Sequence, residues 1–199
     1  MTTAVAAAFT PASIDYVAVL PMLIVFSAAM LGILVEAFAP RHIRYAANVA
    51  ITIVGIVAAL AALAFGSVGH RVSTAGLVSV GGSVTGSVVI DGPTLFIQAT
   101  ILVFALLAAL SYAERLGGVG ADAFTPMGAA TPGSPHEAQA RKAGAMTAEV
   151  FPLFLFSVGG MMLFPAAGDL LTMFVALEVF SLPLYIMSGL ARRRRLLSQ

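Results

Sequence analysis

The sequence predicts an all-α integral membrane protein with about five transmembrane helices. Of its 199 residues, 60% are hydrophobic, only 10% are charged, and the mean hydropathy is +1.01. A soluble domain carries roughly 25% charged residues because its surface faces water, so this chain is expected to face lipid. The net charge of +1 offers no basic field for nucleic acid. The absence of Cys excludes disulfides, thiolate metal sites and iron–sulfur ligation.

Five segments are long and apolar enough to cross about 30 Å of hydrocarbon, which takes roughly 20 helical residues. They comprise residues 16–39, 45–66, 93–113, 150–168 and 169–190. The sequence PAAGD at 165–169 predicts a tight turn between the last two segments at one membrane surface. Asp91 is the predicted N-cap of the third helix.

The basic residues predict the orientation of these spans, because Lys and Arg are enriched in cytoplasmic loops. With five spans, nine of the ten basic residues fall on one side of the membrane, at positions 41, 44, 115, 141, 142 and 192–195. Arg71 alone falls on the other side. The N-terminus is therefore predicted to lie outside the cell and residue 199 in the cytoplasm.

Two of the connections between the predicted spans are long. The loop 67–92 is rich in Gly, Ser and Val, and its alternation over 77–90 around Gly81-Gly82 predicts an external β-hairpin. Residues 114–148 have no hydrophobic period and are predicted to form a disordered cytoplasmic insert. The expected organisation is three N-terminal helices in 1–113, the insert, and two further helices in 149–199.

Most ionisable residues have an ordinary structural interpretation. Glu36 lies about one turn from the end of the first span, near Arg41 and Arg44, so it is expected to reach water or to pair with Arg. Glu149 and Asp169 precede helices, where a negative charge suits the helix dipole. The three histidines lie in predicted loops far apart in the topology, and no metal site is expected.

Glu178 is the exception, because it lies deep in the fifth span. It follows Asp169 by nine residues and precedes Leu190 by twelve, so at 1.5 Å per residue it lies about 13 Å inside the membrane. A carboxylate at that depth costs roughly 2.5–3.5 kcal/mol, and such residues usually serve an ion or proton path. Every Lys and Arg lies in a predicted loop or at a membrane edge, so the sequence supplies no intramembrane cation for Glu178.

The residues that follow Glu178 predict a polar stripe with a local break in the helix. Ser181 and Tyr185 lie at i+3 and i+7, on the same face as Glu178. Pro183 has no N–H and leaves the carbonyl of Val179 without its helical donor. A kink or an unwound turn at this point would create a polar spot for water or an ion.

The run at 169–185, DLLTMFVALEVFSLPLY, resembles subunit N of bacterial NADH-quinone oxidoreductase (complex I), a family related to multisubunit cation/proton antiporter subunits. Two shorter motifs agree with this resemblance: IDG at 90–92, which opens the third span, and EVFPL at 149–153, which opens the fourth. The order and spacing of the spans also agree, so the resemblance covers most of the chain.

The resemblance implies that Glu178 is a key proton-path carboxylate that works with a Lys on a later helix. The family fold contains two inverted repeats, each with a broken helix. It further implies a multi-pass protein of the bacterial plasma (inner) membrane, whose partners are protons, the lipid bilayer and the other membrane subunits of complex I. The resemblance implies no cofactor in this chain and no direct NADH binding.

Two alternatives stay open on the sequence alone. The chain stops at Gln199, before the helix that would carry the family's Lys, so a truncated proton-translocation module is expected. A non-pumping membrane scaffold or assembly fragment is one alternative, in which Glu178 would merely hydrogen-bond across a helix interface. The other is a subunit of a related multisubunit Na⁺/H⁺ antiporter.

Overall fold

The computed structural model describes residues 16–69, 78–80, 83–85, 87–113 and 149–190. These residues form five α-helices, which confirms the predicted all-α membrane fold. The helices are α1 (Tyr16–Phe38), α2 (Arg41–Gly69), α3 (Gly92–Ala113), α4 (Val150–Leu163) and α5 (Leu170–Leu190). The predicted insert at 114–148 and the Arg cluster at 192–195 lie outside the described residues.

Four of the helices, α1, α2, α3 and α5, are long and apolar enough to cross a membrane. The predicted fourth span is shorter than expected, because α4 ends at Leu163 and one 3₁₀ turn, Phe164–Ala166, follows it. Pro165 contributes to this end, since it has no N–H to donate to the carbonyl of the residue four positions earlier. With its 3₁₀ turn the helical segment Val150–Ala166 covers about 25 Å.

The connection between α1 and α2 is tighter than predicted. Pro40 ends α1 at Phe38, because the residue before a proline is disfavoured in helical geometry. α2 then begins at Arg41, four residues before the predicted start of the second span at residue 45. Arg44 therefore lies in the first turn of a helix.

The loop before α3 contains two three-residue strands, β1 (Val78–Val80) and β2 (Ser83–Thr85), which pair antiparallel. The residues that follow leave this ladder. Val88 forms an isolated bridge with Ala167, on the turn between α4 and α5. A hairpin over the whole of 77–90 is therefore not supported, because Val88 pairs with this turn instead of continuing the ladder.

α4 is the central helix of the described bundle. It is buried on nearly all sides and packs against α1, α2, α3 and α5. α1 packs on α2 and α2 on α3, and the Tyr45 hydroxyl donates to the Ala113 carbonyl at 3.3 Å across the α2–α3 interface. α5 differs, since within the described residues it packs against α4 and the 3₁₀ turn alone.

Candidate functional site

Asp169 begins the helix that carries the predicted site. Its Oδ1 accepts a hydrogen bond of 2.6 Å from the amide N–H of Thr172, which caps the first turn of α5. This bond from the Thr172 backbone is the main reason why the pKa of Asp169 lies below its usual value. The structure thus places a negative charge at the start of α5, as predicted.

Glu178 lies about 12 Å along α5 from Leu170 and is half-buried. The face of α5 directed at α4 can be identified from its buried or closely packed residues, Ala176, Phe180, Pro183 and Met187. Glu178 is two residues from Ala176, which is about 200° round the helix. The carboxylate therefore projects from the side of α5 opposite to α4.

Ser181 and Tyr185 lie on the same side of α5 as Glu178. Ser181 is half-buried and Tyr185 is 70% exposed. Within the described residues no hydrogen bond or ion pair reaches the Glu178 carboxylate. Among the described residues, no helix packs against this face of α5.

α5 runs as one helix through Pro183, without an unwound turn. Pro183 cannot donate to the Val179 carbonyl, which weakens the hydrogen bonding of this turn. The fully buried hydroxyl of Ser157, on α4, donates to the neighbouring carbonyl of Phe180 at 2.7 Å. A hydroxyl from an adjacent helix is a common way to support a proline-containing helix in a membrane. No local motif in the sequence marks Ser157 for this role.

Gly160 allows α4 and α5 to approach at the same level. A Cβ atom at this position would lie 2.5 Å from the backbone nitrogen of Phe180. The rings of Phe164 and Phe180 also meet edge to face, with 6.2 Å between their centroids. The position of Glu178 relative to α4 is therefore set by the close contact of α4 with α5, in which the small residue Gly160 lets the two backbones meet.

The other end of this pair is held by a latch, in which residues 87–98 bind residues 162–168. The Val89 amide donates to the Ala166 carbonyl at 2.7 Å, and the Gly168 amide donates to the Ser87 carbonyl at 2.9 Å. Deeper in the bundle, the fully buried Gln98 donates from Nε2 to the Met162 carbonyl at 3.1 Å. The latch fixes the turn from which α5 begins.

Asp91 and Thr94 complete the latch and confirm Asp91 as the N-cap of α3. The Thr94 amide donates to Asp91 Oδ1 at 2.8 Å, and the Thr94 hydroxyl lies 2.6 Å from the same oxygen. The hydroxyl is also 3.2 Å from the Pro165 carbonyl. The contact with the Thr94 hydroxyl is the first cause of the lowered pKa of Asp91, followed by the backbone bond.

A second polar cluster lies where α1 ends and α2 begins. Arg44 Nη1 lies 3.4 Å from Glu36 Oε1, which confirms the predicted pairing of Glu36 with Arg. Arg44 also donates from Nε to the Ala39 carbonyl at 2.7 Å. Asn48, 1% exposed, donates from Nδ2 to Glu36 Oε2 at 3.1 Å. No local motif in the sequence marks Asn48 for this contact.

The cluster around Glu36 is separate from the stripe that contains Glu178, because α1 and α2 do not pack against α5 in the described bundle. Arg44, which pairs with Glu36, therefore does not supply a cation to Glu178. Among the described residues no group of three His, Asp or Glu side chains lies close enough to hold a metal ion.

Known proteins related to this chain share its sequence over nearly its whole length. NADH-quinone oxidoreductase subunit N 3 of Streptomyces griseus is 47% identical over 197 residues, which cover 96% of this chain and 35% of the relative. Subunit N of Beutenbergia cavernae is 50% identical over 199 residues, 96% of this chain and 36% of the relative. Subunit N of Mycobacterium tuberculosis is 48% identical over 200 residues, 94% of this chain and 36% of the relative.

No family profile matches the chain. The relatives nevertheless confirm the resemblance predicted from the run at 169–185, and the apolar helices agree with a protein that crosses the membrane several times. The chain is thus a multi-pass membrane protein related over 94–96% of its length to NADH-quinone oxidoreductase subunit N, and it spans about a third of the length of these relatives.

Proposed function

We propose that this chain forms the part of a complex I membrane subunit in which Glu178 carries protons across the bilayer. The observation that carries the proposal is the position of Glu178, half-buried near the middle of α5 and on the side of the helix away from α4. The names of the relatives support the assignment to NADH-quinone oxidoreductase. Quinone reduction elsewhere in the complex supplies the energy for the proton movement.

The cost of burying a carboxylate supports a functional role for Glu178. An intramembrane carboxylate costs roughly 2.5–3.5 kcal/mol and normally faces a bundle interior or a water-filled cavity. The stripe of Glu178, Ser181 and Tyr185 therefore requires polar cover. Further helices of the longer protein, or helices of the neighbouring membrane subunits, provide that cover and the Lys that works with Glu178.

Proton transfer follows from the competition between desolvation and this cation. Burial in a low-dielectric site favours the neutral carboxyl, and a nearby cation favours the carboxylate. Glu178 binds a proton when the cation moves away and releases it when the cation returns. Each proton moved against 100 mV requires about 2.3 kcal/mol, which a modest change in one buried charge pair can match.

The assembly has the expected location and partners. The chain resides in the bacterial plasma (inner) membrane, with its N-terminus outside and residue 199 in the cytoplasm. It contacts the other membrane subunits of complex I, lipid and protons. The redox chemistry belongs to those other parts of the complex, and this chain binds no NADH, flavin or iron–sulfur cluster.

The test is Glu178→Gln in the intact complex. Gln keeps the shape and hydrogen-bonding capacity of Glu but cannot carry a proton, so the complex should assemble and NADH-driven proton pumping into membrane vesicles should fall strongly. Asp169→Asn is the matched control on the same helix, because Asn also caps a helix, and its pumping should stay at the wild-type level. Wild-type pumping by Glu178→Gln would overturn the proposal and favour the scaffold.

A further inference from the structure

A cleft of about 400 Å³ lies where α1 ends and where α2 and α4 begin. Its lining combines three charged side chains with four apolar ones: Glu36, Arg44 and Glu149, then Ile33, Ala37, Pro152 and Leu153. The three helix ends lie at the same membrane surface, because α1 and α2 are successive antiparallel spans and α4 packs against both. The charged side chains are therefore at the depth of lipid headgroups.

We propose that this cleft binds a zwitterionic phospholipid with a primary ammonium headgroup, phosphatidylethanolamine. A volume of about 400 Å³ is within the range of small-molecule pockets, about 300–1,000 Å³. The apolar side chains of Ile33, Ala37 and Leu153 suit the first segments of the acyl chains. The charged side chains suit a headgroup with one positive and one negative group.

Arg44 provides the contact for the phosphate. Its Nε and Nη1 are used by the Ala39 carbonyl and by Glu36, and within the described residues Nη2 makes no further hydrogen bond. The side chain is 30% exposed, so this nitrogen can reach a ligand in the cleft. Guanidinium groups bind phosphate oxygens well because their N–H donors form a fixed fork.

Glu36 and Glu149 provide the contacts for the ammonium. Each Glu36 oxygen accepts one hydrogen bond, from Arg44 or Asn48, and a carboxylate oxygen has room for about two. Glu149 is exposed and makes no capping bond to α4, so its carboxylate is available to a ligand. A primary ammonium has three N–H donors and can bridge both carboxylates.

The charge of the cleft discriminates between common lipids. Two carboxylates and one guanidinium give the lining a charge of −1, which disfavours an anionic headgroup such as phosphatidylglycerol. A choline headgroup carries a positive charge but has no N–H to donate to Glu36 or Glu149. The buried Asn48 amide holds Glu36 in place, so the site needs little rearrangement to bind the ammonium.

The test uses the full-length protein in its purified complex, after delipidation, with a photoactivatable phosphatidylethanolamine as the probe. Crosslinks are mapped by peptide mass spectrometry, and competition by unlabelled lipids measures selectivity. We expect crosslinks in residues 33–37 and 149–153, and competition by phosphatidylethanolamine at least about tenfold stronger than by phosphatidylcholine or phosphatidylglycerol.

Glu149→Gln is the decisive variant, because Glu149 is exposed and makes no capping bond, so the fold should persist. It should remove most of the preference for phosphatidylethanolamine over phosphatidylcholine, whereas Asp169→Asn, outside the cleft, should keep it. Equal competition by the three lipids, a preference for phosphatidylglycerol, unchanged selectivity of Glu149→Gln, or crosslinks elsewhere in the chain would each overturn the proposal. None of these readouts depends on proton pumping.

Discussion

Gly160→Ala should force α4 and α5 apart, and the structure gives the size of the displacement. The added Cβ atom would lie 2.5 Å from the Phe180 backbone nitrogen, 2.8 Å from its Cβ and 2.9 Å from its Cα. Ordinary van der Waals contact starts at 3.4 Å, so the nearest pair is too close by 3.4 − 2.5 = 0.9 Å. Because a helix backbone cannot rotate away as a side chain can, the helices themselves must move.

This displacement also affects the hydrogen bond that supports the proline turn. The Ser157 hydroxyl lies 2.7 Å from the Phe180 carbonyl, and a shift of 0.9 Å along that direction lengthens the distance to about 3.6 Å, beyond hydrogen-bonding range. Overpacking costs about 1–3 kcal/mol, and the lost bond about 1 kcal/mol. We therefore expect a loss of about 2–4 kcal/mol in unfolding free energy.

The assay is reversible or thermal unfolding of the purified protein in detergent, with Gly66→Ala as the matched control. Gly66 lies in α2, and nothing is within 4 Å of an added Cβ there. Alanine favours a helix over glycine by up to about 1 kcal/mol, so Gly66→Ala should be neutral or stabilising. If Gly160→Ala is as stable as Gly66→Ala, the α4–α5 contact is not as close as the structure indicates, and the reasoning fails.

Two further predictions concern the latch and the second polar cluster. Thr94→Val keeps the backbone bond to Asp91 but removes the hydroxyl contacts to Asp91 and to the Pro165 carbonyl, so it should cost about 1–2 kcal/mol at neutral pH. The lowered pKa of Asp91 contributes stability above about pH 4, and this contribution is lost as the pH falls through the native pKa. The difference in unfolding free energy between wild type and Thr94→Val should therefore shrink below about pH 4. A constant difference in acid unfolding curves would contradict this. Glu36→Gln weakens a partly exposed ion pair and should cost less than about 1 kcal/mol, whereas Asn48→Ala leaves a carboxylate oxygen without its buried donor and should cost about 1–3 kcal/mol. Thermal unfolding of the two variants decides the order, and a larger loss for Glu36→Gln would refute it.

The spans could be predicted from the sequence because hydropathy and length are local properties. Their ends depended on proline positions that hydropathy does not weigh. Pro40 set the end of α1 and allowed α2 to start at Arg41, and Pro165 ended α4 early. The pairing of Val88 with Ala167 could not be predicted, because it joins residues almost 80 positions apart.

The position of Glu178 along its helix was predictable, but the direction in which it projects was not. Counting residues placed Glu178 near the middle of its helix, and the structure agrees. The side facing α4 could not be predicted, because the apolar residues of α5 are spread round the helix and do not mark the interface. Ser157 and Gln98 were missed for a related reason, since each donates to a carbonyl of a residue on another helix.

The contrast between Glu36 and Glu178 explains what each carboxylate can do. Glu36 finds a guanidinium and a buried amide within the described bundle, so its charge is matched locally and its position is fixed. Glu178 has its depth fixed by α4 and the latch, but the face that bears it receives no polar contact from the described residues. A carboxylate whose position is held by one set of helices and whose charge is balanced by another can change protonation without disturbing the fold. Under the proposed function, this separation of position from charge would let Glu178 exchange a proton while the fold stays intact.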